Sequence, residues 1–329
     1  MNKKDIRAIC DLIAPKKSFL VITHKNPDGD AIGSAIAFTR ILKEMGKEAK
    51  VVFPDEPAKR LCFITGGHGY MTPVDFDTAF KPELIVSLDC ATSARLGAFE
   101  EMLGEKIDLS IDHHFSNMPF AKQTFTDAKA SATAEIVYEI AAELVRRGEL
   151  DEISPHVALA LYSGIVSDTG NFKYSNTSDK TFKACAALRK CDIDTAEISR
   201  LLFDSFSLAR LKAEAIAISK IELIANGHAA IILLSQKDIE EAGLTLDDFD
   251  DTVNIARKVE DVRVGAYVRE ASVGEYKVSL RSNDNTNVSD ICGKYSGGGH
   301  IRAAGCVIKA ESINIAADMI KKDIEEALL

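Results

Sequence analysis

The stretch SFLVITHKNPDGDAIGSAIAFTRILKEMG, residues 18–46, constrains the fold more than any other. A short, unbroken apolar run leads into a turn crowded with polar groups, and a long segment with helical spacing follows. The run suits a buried strand, and the segment after it suits a helix laid against that strand. The same texture returns at EAKVVF (48–53), LIVSLDC (84–90) and IDLSIDHH (107–114). Helical patterns lie at about 31–46, in ATAEIVYEIAAELVRRG (132–148) and in SPHVALALYSGIVSD (154–168). Strands alternating with helices predict an α/β fold, a mostly parallel sheet flanked by helices. In such sheets ligands sit beyond the carboxyl ends of the strands, which is where the acidic residues and histidines of these segments fall.

Residues 178–220 read as consecutive helices, and the texture then changes. HAAIILLS, VRVGAYVRE and EYKVSLRS are strand candidates, interleaved with helical stretches at about 236–242, 248–259 and 311–327. We expect a metal-binding catalytic domain over 1–190, a helical linker over 191–220 and a smaller mixed α/β domain over 221–329. The acidic run LTLDDFDD reads as a solvated helix start.

The chain has 329 residues, 46% of them hydrophobic and 27% charged, with a net charge of −10. No apolar run is long enough for a membrane span. The start, MNKKDIRAICDLIAPKKS, reads as an amphipathic helix stopped near Pro15 and not as a signal peptide, so a cytoplasmic location is expected. The seven cysteines form no C-x-x-C pair. Reduced, mostly buried thiols fit better than disulfides or structural zinc, and Cys90 alone adjoins suspected chemistry. An acidic balance argues against a long nucleic acid as the main ligand, and leaves room for a short anionic one.

The chemistry concentrates in four places. HKNPDGD supplies His24, Asn26, Asp28 and Asp30; SLDC supplies Asp89; IDHH supplies Asp112, His113 and His114; IVSDTGNF supplies Asp168. Singly, each has an ordinary explanation, since Asp caps helices and shapes turns. Together they are four Asp/His clusters, each following an apolar segment, so the fold would bring them to one edge. Mixed carboxylate and imidazole suits manganese, iron(II), cobalt or magnesium. Five carboxylates and three histidines exceed the needs of one ion. Two ions sharing a carboxylate is the economical arrangement, and it recurs in phosphate-ester hydrolysis.

The order HKNPDGDAIGS, SLDCATSARLG, DHH and SDTGNF resembles the successive signatures of the DHH phosphoesterase superfamily. SLRSN (279–283) and SGGGHIRAAGC (296–306) resemble its associated C-terminal domain, and length and layout match the NrnA group. That resemblance implies hydrolysis of very short oligoribonucleotides to mononucleotides and of adenosine 3′,5′-bisphosphate (pAp) to AMP. It implies two manganese ions, with magnesium as the alternative. One would be held by His24, Asp28 and Asp89, the other by Asp30, Asp89, His113 and Asp168. His114 would face the phosphate, Asp112 would orient its histidine neighbours, and Asn26 would lie near the phosphate or the attacking water. Arg281, Ser282, Gly298, Gly299 and His300 would grip the rest of the substrate. Short RNA, pAp or linear dinucleotides are the implied partners, with neither membrane nor long DNA, and a homodimer is expected because members of the group often pair. The alternatives are cyclic di-AMP or pApA as substrate with the same chemistry, and a nucleotide sensor without turnover. A RecJ-like exonuclease would need a basic, aromatic groove for long strands, and a family II-type pyrophosphatase would not carry the GGGH segment.

Overall fold

The first parallel sheet accounts for the alternation read from the sequence. The structure, a computed structural model, describes residues 1–115, 117–249 and 252–329. The chain divides into two units, Met1–Ser205 and Phe206–Leu329. In the first, strands β1 (Ser18–Ile22), β2 (Glu48–Val52), β3 (Leu84–Leu88), β4 (Leu109–Asp112) and β5 (Gln123–Thr126) form a sheet of order β2-β1-β3-β4-β5. Every pairing in it is parallel. Phe19 and Val21 face the main core while Leu20 and Ile22 face a smaller one, so β1 is covered on both sides. That is why it reads as an unbroken apolar run.

The helices of this unit are α1 (Lys3–Ile13), α2 (Gly29–Glu44), α3 (Glu100–Leu103), α4 (Thr133–Arg147), α5 (Pro155–Asp168), α6 (Asp179–Arg189) and α7 (Thr195–Phe203). The strand order reverses between β1 and β3, and that switch point places the loops after β1, β3 and β4 side by side. Helices α2 and α5 pack at close range. A Cβ on Gly33 would lie 2.4 Å from the Ala160 carbonyl oxygen, and one on Gly164 would lie 3.1 Å from Asp30 Oδ1 of α2 and 2.7 Å from the Ala134 Cβ of α4. Only hydrogen at these two positions allows the approach, and it carries the carboxyl end of α5 to the amino end of α2.

The second unit contains α8 (Leu208–Ser219), β6 (Ile221–Ile224), β7 (Ala229–Leu234), α9 (Gln236–Ala242), α10 (Thr252–Ala256), β8 (Val264–Ser272), β9 (Glu275–Ser282), α11 (Val288–Gly293), β10 (Gly298–His300), β11 (Ala303–Lys309) and α12 (Ile313–Leu328). Its sheet has the order β10-β11-β9-β8-β7-β6. It is mixed, with β7 and β8 parallel and the other neighbours antiparallel. Among the described residues no helix is long and apolar enough to cross a membrane.

Some local expectations need correction. Helix α2 begins two residues before the expected 31, because the Asp28 side chain caps the Asp30 and Ala31 amides. The stretch at about 248–259 contains a 3-10 turn at Leu246–Phe249 and the short α10, and residues 250 and 251 lie outside the described ones. Part of the GGGH segment is the edge strand β10, paired with β11. Gly299 has φ +152°, and a Cβ there would lie 2.4 Å from the Ala303 carbonyl oxygen. Strands β5, β6 and β10 carry too little apolar alternation to stand out in the sequence.

Candidate metal centre

Each element end described above delivers one piece of a single cluster. His24 follows β1, Asp28 and Asp30 open α2, Asp89 follows β3, Asp112 ends β4 with His113 and His114 after it, and Asp168 ends α5. The donors gather in three overlapping groups: His24 with Asp28 and Asp89, Asp30 with His113 and Asp168, and Asp89 with His113 and His114. Asp89 takes a left-handed backbone, φ 56°, a conformation that costs a non-glycine residue and that clusters at functional sites.

The two outer histidines are oriented in the same way. His24 Nδ1 lies 2.8 Å from the Lys25 carbonyl and His113 Nδ1 lies 3.3 Å from that of Ala130, so both rings turn Nε2 inward. His24 Nε2 stands 3.7 Å from Asp28 Oδ2 and 3.6 Å from Asp89 Oδ2. His113 Nε2 stands 3.7 Å from Asp89 Oδ1, 3.4 Å from Asp168 Oδ2 and 3.9 Å from Asp30 Oδ2. These gaps exceed hydrogen-bond length, yet are close to the ~3 Å edge between two donors that share an ion at about 2.1 Å. The decisive atom is His24 Nε2, buried and without a hydrogen-bond partner. A buried, unpaired imidazole nitrogen facing two carboxylates is costly unless a cation lies between them. The donor set therefore fits divalent metal, and Asp89 turns one oxygen toward each outer group.

Asp28 both caps a helix and faces the cluster. Its Oδ1 caps α2, while Oδ2 faces His24. Asp30 is only 1% exposed, and both of its oxygens accept from the start of α4: Oδ2 from the Thr133 amide at 2.6 Å, Oδ1 from the Ala134 amide at 2.8 Å. The Thr133 hydroxyl donates to Asp89 Oδ1 at 2.9 Å. That helix start is itself secured by buried Glu135, which accepts from the hydroxyls of Ser131 and Thr181. Sequence reasoning missed Thr133 and the two amides. Threonine at a helix start is too common to signal a site, and a backbone N–H leaves no signature at all.

Burial, followed by the charges of Asp89, Asp168 and Asp28, holds the Asp30 carboxyl well above its usual range. Asp168 is pushed up to about 7, by burial first and then by Asp89 and Asp28, against the pull of His113. His24 would be lowered by burial, but Asp28 and Asp89 outweigh that and hold it at about 10. Crowded carboxylates that resist ionising are relieved by positive charge, as a metal supplies. His114 is raised by its 2.7 Å hydrogen bond to Asp112, with burial opposing. Asp112 also accepts from the Asn117 side chain and from the His113 and His114 amides, which suits an orienting role. Asn26 is exposed on a left-handed turn, and its backbone N–H donates to Asp55 Oδ2. Burial pushes the Cys90 thiol up to about 12, which makes it unreactive.

The remaining expected residues belong to the second unit. His300 pairs with Ala303 and Ala303 with Arg281, so the three form one cross-strand row. Directly paired residues project from one face, which puts Arg281 and His300 on the same side of the sheet. Ser282 points to the other side, buried, with its hydroxyl bonded to Asp284. Gly298 and Gly299 keep the edge strand close against β11.

Comparison with known proteins agrees with this layout. Residues 18–165 match the N-terminal domain of the DHH family and residues 223–326 match the DHHA1 domain. The chain is 31% identical, over 94% of its length and 89% of the relative's, to the bifunctional oligoribonuclease and PAP phosphatase NrnA of Thermus thermophilus. It is 24% identical, over 97% of its length but 49% of the relative's, to the cyclic-di-AMP phosphodiesterase GdpP of Bacillus subtilis. An exopolyphosphatase-related protein from Bacteroides fragilis has the same fold, with a TM-score of 0.89 and 22% identity over 99% of this chain and 96% of that one. The chain therefore belongs to the DHH family, among the members of NrnA type in which a DHHA1 domain follows the DHH domain.

Proposed function

We propose that this protein is a divalent-metal-dependent phosphoesterase that hydrolyses very short oligoribonucleotides to mononucleotides and pAp to AMP. The carrying observation is Asp89, whose two oxygens face His24 on one side and His113 on the other at 3.6 and 3.7 Å. On this reading His24, Asp28 and Asp89 hold one ion, and Asp30, Asp89, His113 and Asp168 the other, with manganese preferred. Bound there, the pair of cations would bring a water near its pKa at neutral pH and offset charge on the phosphoryl oxygens.

The chain's own groups do the rest. Asp30, tied at both oxygens to the start of α4, holds its charge in a fixed position. His114, its basicity raised by Asp112, faces the phosphate or the departing ribose oxygen and serves as its proton donor. Asn26 offers an amide at the open side of the site. Arg281 and His300 hold the far phosphate or base of the substrate, with Gly298 and Gly299 giving backbone access and Ser282 bracing the turn behind Arg281.

The test is product release by metal-stripped, manganese-reloaded protein from a five-nucleotide RNA, pAp, pApA and cyclic di-AMP, with Asp89→Ala as control. Mononucleotide from the RNA and phosphate from pAp are expected. The variant should lose at least about 1,000-fold in kcat, the several kcal/mol of charge stabilisation a metal pair contributes. Preference for cyclic di-AMP would favour the second reading, motivated by the GdpP relative. Binding without turnover of any of the four would overturn the enzyme assignment.

A further inference from the structure

Two cysteines meet in the core of the second unit, Cys292 near the end of α11 and Cys306 in β11. The segment between them, residues 293–305, contains the whole of GGGH. It folds back at Gly297. The Gly297 amide donates to the Cys292 carbonyl at 3.0 Å, while a Cβ on Gly297 would lie 2.4 Å from the Cys306 Cβ. One glycine therefore touches the backbone of the first cysteine and the side chain of the second. Both side chains enter the same apolar cluster, which includes Val278, Leu280 and Ala304.

Both are free thiols, and the strongest influence on each is a side-chain hydrogen bond to the other. That bond holds the Cys306 thiol below its usual range, against burial, and joins burial in raising that of Cys292. Cys306 is thus the readier nucleophile, since the thiolate is the reactive form. Sulfurs already facing each other need only a small side-chain movement to reach bonding geometry. Cys306 is 6% exposed, in the strand that pairs with β10, an edge strand exposed at each of its residues. Local opening of that edge admits a small oxidant.

We propose that Cys292 and Cys306 are a site of reversible oxidation, closing to a disulfide with a hydroperoxide as the oxidant. The Cys306 thiolate attacks one peroxide oxygen and the O–O bond breaks. The departing oxygen takes up the proton that Cys306 gave up, and Cys306 is left as a sulfenic acid. The Cys292 sulfur then attacks the Cys306 sulfur. The S–S bond forms, the S–O bond breaks, and the Cys292 proton leaves with that oxygen as water. Two electrons pass from the sulfurs to the peroxide, and a thiol reductant returns them. The disulfide ties α11 to β11 and encloses the segment that carries Gly298, Gly299 and His300. The inference goes beyond the activity proposed above and does not depend on it.

The experiment treats the full, reduced chain with hydrogen peroxide, alkylates the remaining thiols and digests with trypsin in the absence of reductant. Cleavage after Arg281, Lys294, Arg302 and Lys309 puts the two cysteines in separate peptides, 282–294 and 303–309. A species joining these two, about 2 Da lighter than their sum and lost on adding dithiothreitol, is expected. Hydrogen exchange at the amides of 298–300 should slow about tenfold in the oxidised form, because a crosslink across a short loop suppresses local opening. Cys292→Ala should leave Cys306 as a sulfenic acid that dimedone labels, and Cys306→Ala should leave Cys292 unlabelled. Cys62, which is exposed, serves as the internal control. Oxidation of Cys62 with 282–294 and 303–309 unlinked would overturn the site, and that result requires no variant. Dimedone on Cys292 in Cys306→Ala, with none on Cys306 in Cys292→Ala, would overturn the order of attack.

Discussion

The two sheets place their polar residues in opposite ways. In the first unit the groups stand at element ends, at β1, β3, β4 and α5; His24, Asp30, Asp89 and Asp112 are buried, and backbone amides or carbonyls tether His24, Asp30 and His113. In the second, Arg269, Lys277 and Arg281 stand along the strands, reach partly into solvent and face one another by register. Element ends can converge from distant parts of the chain on one point, as a metal centre requires. A strand face instead spreads groups along its length, where side chains can reach solvent. The first arrangement needs rigidity, because donors spaced for an ion must keep their distances after the ion leaves. The second needs access, and tolerates side-chain freedom.

If that contrast is right, substitutions in the two regions should act on different quantities. Thr133→Val removes the hydroxyl that holds Asp89 and keeps the shape of the side chain. It should weaken metal affinity by about 10- to 100-fold, the range for partners that orient ligands, read by calorimetric titration of manganese into chelator-treated protein. Unchanged affinity would mean that Asp89 is positioned by other contacts. Arg281→Ala should instead raise KM by about tenfold, with kcat altered little and metal affinity not at all. A fall in kcat alone would erase the distinction between the two regions.

A smaller effect concerns pH. Asp168 without metal titrates near 7, raised chiefly by burial. Ligating groups must lose their protons, so Asp168 makes apparent metal affinity climb as pH rises to about 7, and His24, held at about 10, extends the climb beyond it. Each competing proton weakens the affinity by up to tenfold per pH unit below its own pKa. Titrations in two buffers of different ionisation enthalpy would count the protons released. An affinity flat between about pH 6 and 8 would contradict the raised carboxyl.

How far the sequence could be read follows the same division. HKNPDGD, the aspartate of SLDC, IDHH and the aspartate of IVSD were legible because each sits where a strongly periodic segment stops, and a parallel sheet aligns such stops. The dual use of Asp28 was not legible, since one side chain showed both a capping and a ligand signature. Thr133 and the Ala134 amide were invisible for a plainer reason: their contribution depends on where α4 begins relative to Asp30, more than 100 residues away. In the second unit, Arg281 and His300 could be named from their motifs. That they share a face was decided by the pairing of β10, β11 and β9, and the sequence of GGGH reads more readily as a turn than as a strand.

Local order and chemistry were thus determined by the sequence alone: which segments are strands or helices, and which residue types stand at their ends. Tertiary structure decided the distances and facings. The two oxygens of Asp89 point to different histidines because β3 lies between β1 and β4. Arg269 meets Lys277 because β8 and β9 pair in one particular register, with an irregularity between Glu270 and Ser272. Shifting that register by one residue would turn one of the two to the opposite face. Periodicity is a short-range property of a chain and survives in a one-dimensional reading. Register and strand order are set by the packing of whole faces, which only the folded molecule expresses.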